Sequence, residues 1–169
     1  MEPLDAIFNR RSIRKYLTTG IPEELITTLL NAAMYAPSAR NTQSWEFLVI
    51  RERKLLNDIT KVHPYSMMLK EAPVAIMVCG NKELEKNEAY LNQNCSAATQ
   101  NILLAAYALG LGTVWLGVYP RKERVDALRE LFRLPEHIVP VSLIAVGYPN
   151  EVITKPERYK PERIHNNIW

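Results

Sequence analysis

Three arginines and a serine stand together near the start of the chain. Within five residues the sequence places Arg10, Arg11, Ser12 and Arg14, and Lys15 follows directly. A guanidinium group offers a phosphate two parallel donors, and a hydroxyl group can add a third. A compact cluster of this kind suits one phosphate monoester. A solvated charged surface and a nucleic-acid patch are the alternatives, although nucleic acid would favour a longer basic stripe with aromatic residues among the charges.

A second basic cluster lies near the other end of the chain, and it consists of Lys155, Arg158, Lys160 and Arg163. The formal net charge is only +3, so the chain between the two clusters is nearly balanced. A weak positive charge by itself shows only that anionic partners are not repelled. The two clusters can converge on one anion if the fold brings the ends of the chain together.

The common catalytic and phosphate-binding motifs are missing from the sequence. Gly110 and Gly112 follow a predicted helix and precede a predicted strand, which is the reverse of the order in a dinucleotide-binding fold. His63, His137 and His165 stand alone, and a lone histidine is more often structural than a metal ligand. We therefore predict no metal site, no phosphate-binding loop of the NTPase type and no serine-hydrolase nucleophile.

One long uncharged stretch must position these candidate residues. The 32 residues from Ala89 to Pro120 contain no Asp, Glu, Lys, Arg or His. Strong helix formers from Cys95 to Leu111 would be apolar almost all the way round a helix, so we expect a buried core helix that Gly110 and Gly112 end. The apolar run is about half the length that a bilayer crossing requires. A second copy of the same helix is one possible neighbour.

Periodicity predicts the other elements of the fold. In chain order they are a helix over 3–9, an extended segment over 10–16, a helix from Pro22 to Pro37, a strand over 45–50, a helix over 52–60, and then strands over 73–79 and 113–118, a helix over 121–132 and a strand over 141–147. Alternation would place Ser12, Arg14 and Tyr16 on one side of the extended segment. The order lacks the strict alternation of a doubly wound fold, and it predicts an α+β fold with helices on both faces of a sheet.

The chain shows no division into parts. We expect a single domain over residues 1–169, in which 148–169 form a C-terminal extension without periodicity. That extension ends in apolar residues, including Trp169, which require a surface to pack against. No export segment is visible, so a cytoplasmic location is the default expectation. Cys79 and Cys95 lack metal-site spacing, and we expect reduced core residues.

Four blocks of the sequence together resemble the nitroreductase family. They are Arg10-Arg11-Ser12-Ile13-Arg14-Lys15-Tyr16, then Pro37-Ser38-x-x-Asn41-x-Gln43-x-Trp45-x-Phe47, then Gly110-Leu111-Gly112-Thr113-x-Trp115-Leu116-Gly117, and the closing residues His165 to Trp169. Each block alone is weak, whereas the set in this order is specific and spans nearly the whole chain. Ser44 is a departure, since the family commonly has proline before the tryptophan.

The resemblance implies a fold and an activity. The fold would be a mixed, largely antiparallel sheet covered by helices, with a C-terminal arm that wraps the partner subunit of an obligate homodimer. FMN would be held without a covalent link between the subunits, and NADH or NADPH would reduce it. Nitroaromatic compounds, quinones or similar small acceptors would then take the electrons in a ping-pong scheme. Neither a nucleic acid nor a membrane is an expected partner.

The resemblance also implies roles for individual residues. Arg10 and Ser12 would hold the FMN phosphate together with Arg158, for which Lys155 and Arg163 are the alternatives. Arg11 would contribute chiefly through its backbone.

Other residues would contact the flavin ring. Arg14 would face the pyrimidine edge, where a fixed cation favours negative charge. The backbone near Leu116 and Gly117 would approach the flavin N5. The partner subunit would supply the four residues Pro37, Ser38, Asn41 and Gln43. No protein side chain is expected to act as an acid or base, because the flavin performs the chemistry.

Two other kinds of function remain open at this point. One is a non-catalytic module that binds an anion or a nucleic acid. The other is a specialised branch of the same family, such as a dehalogenase or a flavin-fragmenting enzyme.

Overall fold

The structure is a computed structural model that describes residues 3–169. Met1 and Glu2, which the single-domain prediction includes, lie outside the described residues. Along the described chain the elements are α1 (Pro3–Asn9), α2 (Glu23–Met34), β1 (Trp45–Ile50), α3 (Arg53–Val62), β2 (Val74–Asn81), α4 (Glu88–Ala108), β3 (Gly112–Gly117), α5 (Lys122–Phe132) and β4 (Ile138–Gly147). Short 3-10 helices lie at Ala39–Asn41, Met67–Lys70 and Pro161–Arg163.

The four strands form one sheet in the order β1-β2-β4-β3. Every pair of neighbouring strands is antiparallel, which confirms the predicted α+β fold with a largely antiparallel sheet. The two central strands, β2 and β4, are buried along their whole length. Their unbroken apolar runs reflect this position, because both faces of a central strand are covered.

Helices cover both faces of the sheet, as predicted. On one face α2 and α4 pack against β2 and β4, and the buried residues there include Ile26, Leu29 and Ile102. On the other face α3 and α5 supply Leu56, Ile59 and Leu128 to a second cluster. Successive residues of β2 alternate between the two clusters because side chains alternate across a strand.

The long helix α4 is the predicted core helix, and it begins at Glu88, before the predicted start. The side chain of Asn87 accepts hydrogen bonds from the backbone N–H groups of Ala89 and Tyr90, which caps the first turn. After its last turn Gly110 adopts a positive φ of 76°, a conformation that glycine tolerates without strain. No helix in residues 3–169 is both long enough and apolar enough to cross a membrane.

The two cysteines lie in the core. Cys79 and Cys95 are free and buried. Burial raises the pKa of each thiol to about 12, so neither supplies a thiolate nucleophile at neutral pH. The expectation of reduced core cysteines is confirmed.

The extended segment over 10–16 differs from the predicted alternation. Ile13 and Tyr16 are both buried, whereas Arg14 and Lys15 are exposed, so Tyr16 does not share a side with Arg14. The physical reason is that the segment forms two isolated bridges, at Ser12 and at Tyr16, rather than a continuous strand. The Tyr16 hydroxyl turns inward and donates a hydrogen bond to the carbonyl of Ile13 at 2.5 Å.

Candidate functional site

The arginine segment is held between β3 and the start of the C-terminal extension. On one side Ile13 donates its N–H to the Thr113 carbonyl at 2.9 Å. This close approach requires Gly112, because a Cβ there would lie 2.9 Å from Ile13. On the other side the Glu151 carboxylate accepts hydrogen bonds from the backbone N–H groups of Arg14 and Lys15. The backbone at Arg14 is therefore anchored, and its side chain remains exposed.

The fold brings the two basic clusters together. Burial and the positive charges of Arg158 and Arg11 lower the pKa of Arg10, which shows that these guanidinium groups lie close enough to repel one another. No carboxylate within residues 3–169 forms a salt bridge with any of the three. Like charges without a counterion are a favourable arrangement for an anion.

The side chain of Arg11 faces its own backbone rather than open space. Its guanidinium donates to the carbonyls of Arg10 at 2.6 Å and Phe8 at 3.0 Å, with a longer contact to Thr154 at 3.4 Å. The ammonium group of Lys155 lies 5.6 Å from the centre of the Phe8 ring. Of the three basic residues considered in the extension, Arg158 is the one whose charge acts on Arg10.

A cleft of about 460 Å³ lies beside Arg14. It is lined by Arg14, His63, Tyr65, Met67, Met68, Trp115, Leu116, Gly117 and Arg124. Three of these, Arg14, Leu116 and Gly117, were predicted from the sequence to lie at one site. The structure therefore brings this part of the predicted set together.

Two residues that sequence reasoning missed fix the backbone of this cleft. His63 lies 3.0 Å from the Gly117 carbonyl through Nε2, and Arg124 donates to the same oxygen at 2.8 Å. Because a carbonyl only accepts, Nε2 must carry the proton. The other ring nitrogen accepts from the N–H of Tyr65 at 3.3 Å, so the His63 ring is neutral. Burial, reinforced by the charge of Arg124, lowers the pKa of His63, although the bond to Gly117 opposes this shift.

The remaining predicted residues lie elsewhere in the chain. Pro37 and Ser38 line a separate surface cleft beside the start of α4. Asn41 and Gln43 are exposed, and the side chain of Gln43 donates to that of Asn41 at 3.0 Å. The loop that carries all four leads into β1.

The sheet order separates these residues from the cleft. β1 and β3 are the two edge strands, so the loop before β1 lies at the opposite edge from Leu116 and Gly117. Three strand spacings amount to about 14 Å. One chain thus presents two halves of the predicted site at two different places.

Comparison with known proteins identifies relatives over the whole chain. A family model described as the nitroreductase family matches residues 7–68 and 60–148. A protein of Methanothermobacter thermautotrophicus, provisionally named NADH dehydrogenase/NAD(P)H nitroreductase, is 52% identical over 169 residues, which are 100% of this chain and 88% of that protein.

Solved structures share the fold. One from Parabacteroides distasonis, under the same provisional name, has a TM-score of 0.95 and 43% sequence identity, and the match covers 99% of this chain and 98% of the other. A provisionally assigned nitroreductase from Desulfovibrio desulfuricans, solved in complex with FMN, has a TM-score of 0.87 and 32% identity over 100% of this chain and 98% of its own.

The neutral His63 ring predicts a pH dependence of stability. In the unfolded chain a histidine gains its proton at about pH 6.5, whereas the folded protein resists protonation to a lower pH. The free energy of unfolding should therefore fall as the pH drops below about 6.5, by up to about 1.4 kcal/mol per pH unit from this group. Urea unfolding at several pH values between about 7.5 and 5 measures this change in the free energy of unfolding.

Replacing His63 separates its contribution to the pH dependence of stability from the contributions of the other titrating groups. His63→Gln keeps a donor for Gly117 and should show a shallower loss of stability toward low pH than the wild type. Equal slopes for wild type and His63→Gln would contradict the assignment of a neutral, buried ring.

Proposed function

The chain belongs to the nitroreductase family, and from this premise we propose how it holds its cofactor and which acceptors it reduces. It is an oxidoreductase that uses FMN and NAD(P)H. We propose that residues 1–169 act as one FMN-binding domain. Its acceptors are small molecules such as nitroaromatic compounds and quinones, which reach an open cleft.

The observation that carries the proposal is the convergence of cations without a salt-bridge partner in residues 3–169, where the arginine segment meets the C-terminal extension. Arg10 and Arg158 repel each other, and no described carboxylate pairs with them. A bound phosphate group would relieve that repulsion, and Ser12 would add a hydroxyl donor from the same segment. This arrangement supports Arg10 and Arg158 as ligands of the single terminal phosphate of FMN.

The cleft beside Arg14 suits the flavin ring. Arg14 lies on its wall, where its guanidinium would stabilise negative charge on the pyrimidine edge. In the same cleft, the hydrogen bonds from His63 and Arg124 hold the Gly117 carbonyl in place, so the backbone near Leu116 and Gly117 is an edge that the ring could approach. The residues present therefore fit the cofactor.

When bound, FMN supplies the redox chemistry by taking electrons from NAD(P)H and giving them to the acceptor. The protein's own groups bind and orient. Arg14 supplies a fixed charge, and no side chain is required to carry a proton. Donor and acceptor occupy the same cleft in turn, which gives a ping-pong scheme.

A second copy of the chain completes each site in this proposal. The loop with Pro37, Ser38, Asn41 and Gln43 would reach across a homodimer to the flavin of the partner subunit, because it lies at the far edge of its own sheet. The C-terminal extension would wrap the partner. Its apolar groups support this, since the exposed fractions of Val152 and Trp169 are 98% and 99% in the single chain.

The phosphate assignment predicts a selective loss of affinity. Arg158→Ala should weaken FMN binding by about 10- to 100-fold, since a charge-assisted hydrogen bond contributes about 1.5–3 kcal/mol. Riboflavin, which lacks the phosphate, should bind this variant as it binds the wild type. Titration of each flavin into the apoprotein, followed by fluorescence, measures both.

Matched variants and the wild type complete this experiment. Arg163→Ala should bind FMN with the wild-type affinity. Chromatography of the flavin released from denatured wild-type protein should identify FMN rather than FAD. A colourless protein that FMN cannot reconstitute, or an equal loss of riboflavin and FMN affinity in Arg158→Ala, would count against the proposal.

The shared site predicts complementation between two inactive variants. Arg14→Ala and Asn41→Ala homodimers should each be nearly inactive, because both sites of each dimer carry a lesion. In a mixed dimer one site collects both lesions and the other is intact. Random assembly from equal amounts makes about half of the dimers mixed, so refolding the two variants together should restore about a quarter of wild-type turnover. No recovery above the separate variants would show that one chain supplies both residues to a site.

A further inference from the structure

We propose that Asn94 is a positioning residue, which holds the loop of residues 37–44 in the conformation that presents Asn41 and Gln43 to the flavin of the partner subunit. Asn94 lies on α4 and is not among the predicted cofactor contacts. The inference rests on the proposed function, because the loop has this task only in a shared flavin site.

The side chain of Asn94 forms its hydrogen bonds with this one loop. Its Oδ1 atom accepts the N–H of Ala39 at 2.9 Å. Its Nδ2 atom donates to the hydroxyl groups of Thr42 at 3.1 Å and Ser44 at 3.0 Å. Only 3% of Asn94 is exposed, so these bonds are largely shielded from competing water. A single buried amide thus forms hydrogen bonds with the beginning, the middle and the end of the loop.

The loop requires these hydrogen bonds because its backbone is strained. Arg40, Asn41 and Gln43 have positive φ angles of 54°, 56° and 46°. Residues with a Cβ atom rarely adopt this left-handed region, and they remain there only when surrounding contacts hold them. The two residues proposed to meet the flavin are therefore among those that would relax if the anchor were lost.

Ser44 links the anchor to a feature of the sequence. The resemblance to the family places proline at this position, and a proline would restrict the backbone. Here Ser44 is fully buried and its hydroxyl accepts from Asn94. The side-chain hydrogen bond therefore supplies the restraint that the missing proline ring would have given.

A matched control lies on the same helix. Asn101 is half-buried and donates through Nδ2 to the carbonyl of Ala32 on α2 at 2.9 Å. Its replacement removes an amide anchor from α4 that forms no hydrogen bond with residues 37–44. Effects of general helix destabilisation should appear in both variants, whereas effects on the flavin should appear only for Asn94.

The first readout is flavin affinity. Asn94→Ala should weaken FMN binding by about tenfold or more, since several bonds that hold the loop are lost together. Asn101→Ala should keep the wild-type affinity, and thermal unfolding should show how far each variant is destabilised. Wild-type FMN affinity in a folded Asn94→Ala protein, or the same loss in Asn101→Ala, would overturn the proposal.

The second readout is complementation, which a general structural role would not produce. The assay uses an FMN concentration that fills wild-type sites but leaves Asn94→Ala sites largely empty. Asn94→Ala refolded with Arg14→Ala should then recover about a quarter of wild-type turnover, because one site of each mixed dimer has an intact loop and an intact arginine. Asn94→Ala refolded with Asn41→Ala should recover nothing, because every loop is then defective. The opposite pattern would place the effect of Asn94 in its own chain's site and overturn the inference.

Milder variants keep the test decisive if Asn94→Ala does not fold. Ser44→Ala and Thr42→Val each remove one acceptor of the amide, and each should weaken FMN binding by about two- to tenfold. Unchanged affinity in both would overturn the inference. A wild type that binds no FMN, or failed recovery between Arg14→Ala and Asn41→Ala, would overturn the proposed function itself and this inference with it.

Discussion

The sheet order determines which residues of one chain can line the same cleft. Because β1 and β3 are opposite edges, the loop that precedes β1 and the arginine segment beside β3 cannot line the same cleft of one chain. They do lie toward the same end of the sheet, since Trp45 pairs with Gly80 near the end of β2, and Gly117 at the end of β3 pairs with Ser142, which itself pairs with Val78 of β2. In the proposed homodimer, each copy of the chain would supply half of one site and half of the other.

Electrostatics explains why one half of the site needs a ligand. Arg10 is partly buried, burial and the positive charges of Arg158 and Arg11 lower its pKa, and no described carboxylate forms a salt bridge with any of the three. The segment is held in place against this repulsion by the close approach at Gly112, the Thr113 carbonyl and the Glu151 carboxylate. A phosphate dianion would turn that repulsion into binding energy. In the proposed homodimer, the partner subunit would bury the exposed apolar end of the extension.

Much of the fold could be predicted from the sequence, because periodicity and the uncharged stretch report burial directly. The core helix, the four strands and the coverage of both faces followed from such patterns. The alternation predicted for residues 10–16 was wrong, because Tyr16 turns inward to bond the Ile13 carbonyl. His63, Arg124 and Asn94 were missed as site residues, since their roles depend on contacts 54, 7 and 52 positions away in the chain. A buried polar residue leaves no local periodic signal, so only the three-dimensional packing reveals what it holds.

Sedimentation velocity followed at the visible absorption of the flavin tests the shared site most directly. Over a dilution series that carries the protein through dimer dissociation, the account predicts that FMN sediments only with the dimer, at about two flavins per dimer. The monomer should be free of flavin absorption, because it lacks the loop of a partner. Flavin that sediments with the monomer in proportion to its protein absorption would contradict the account.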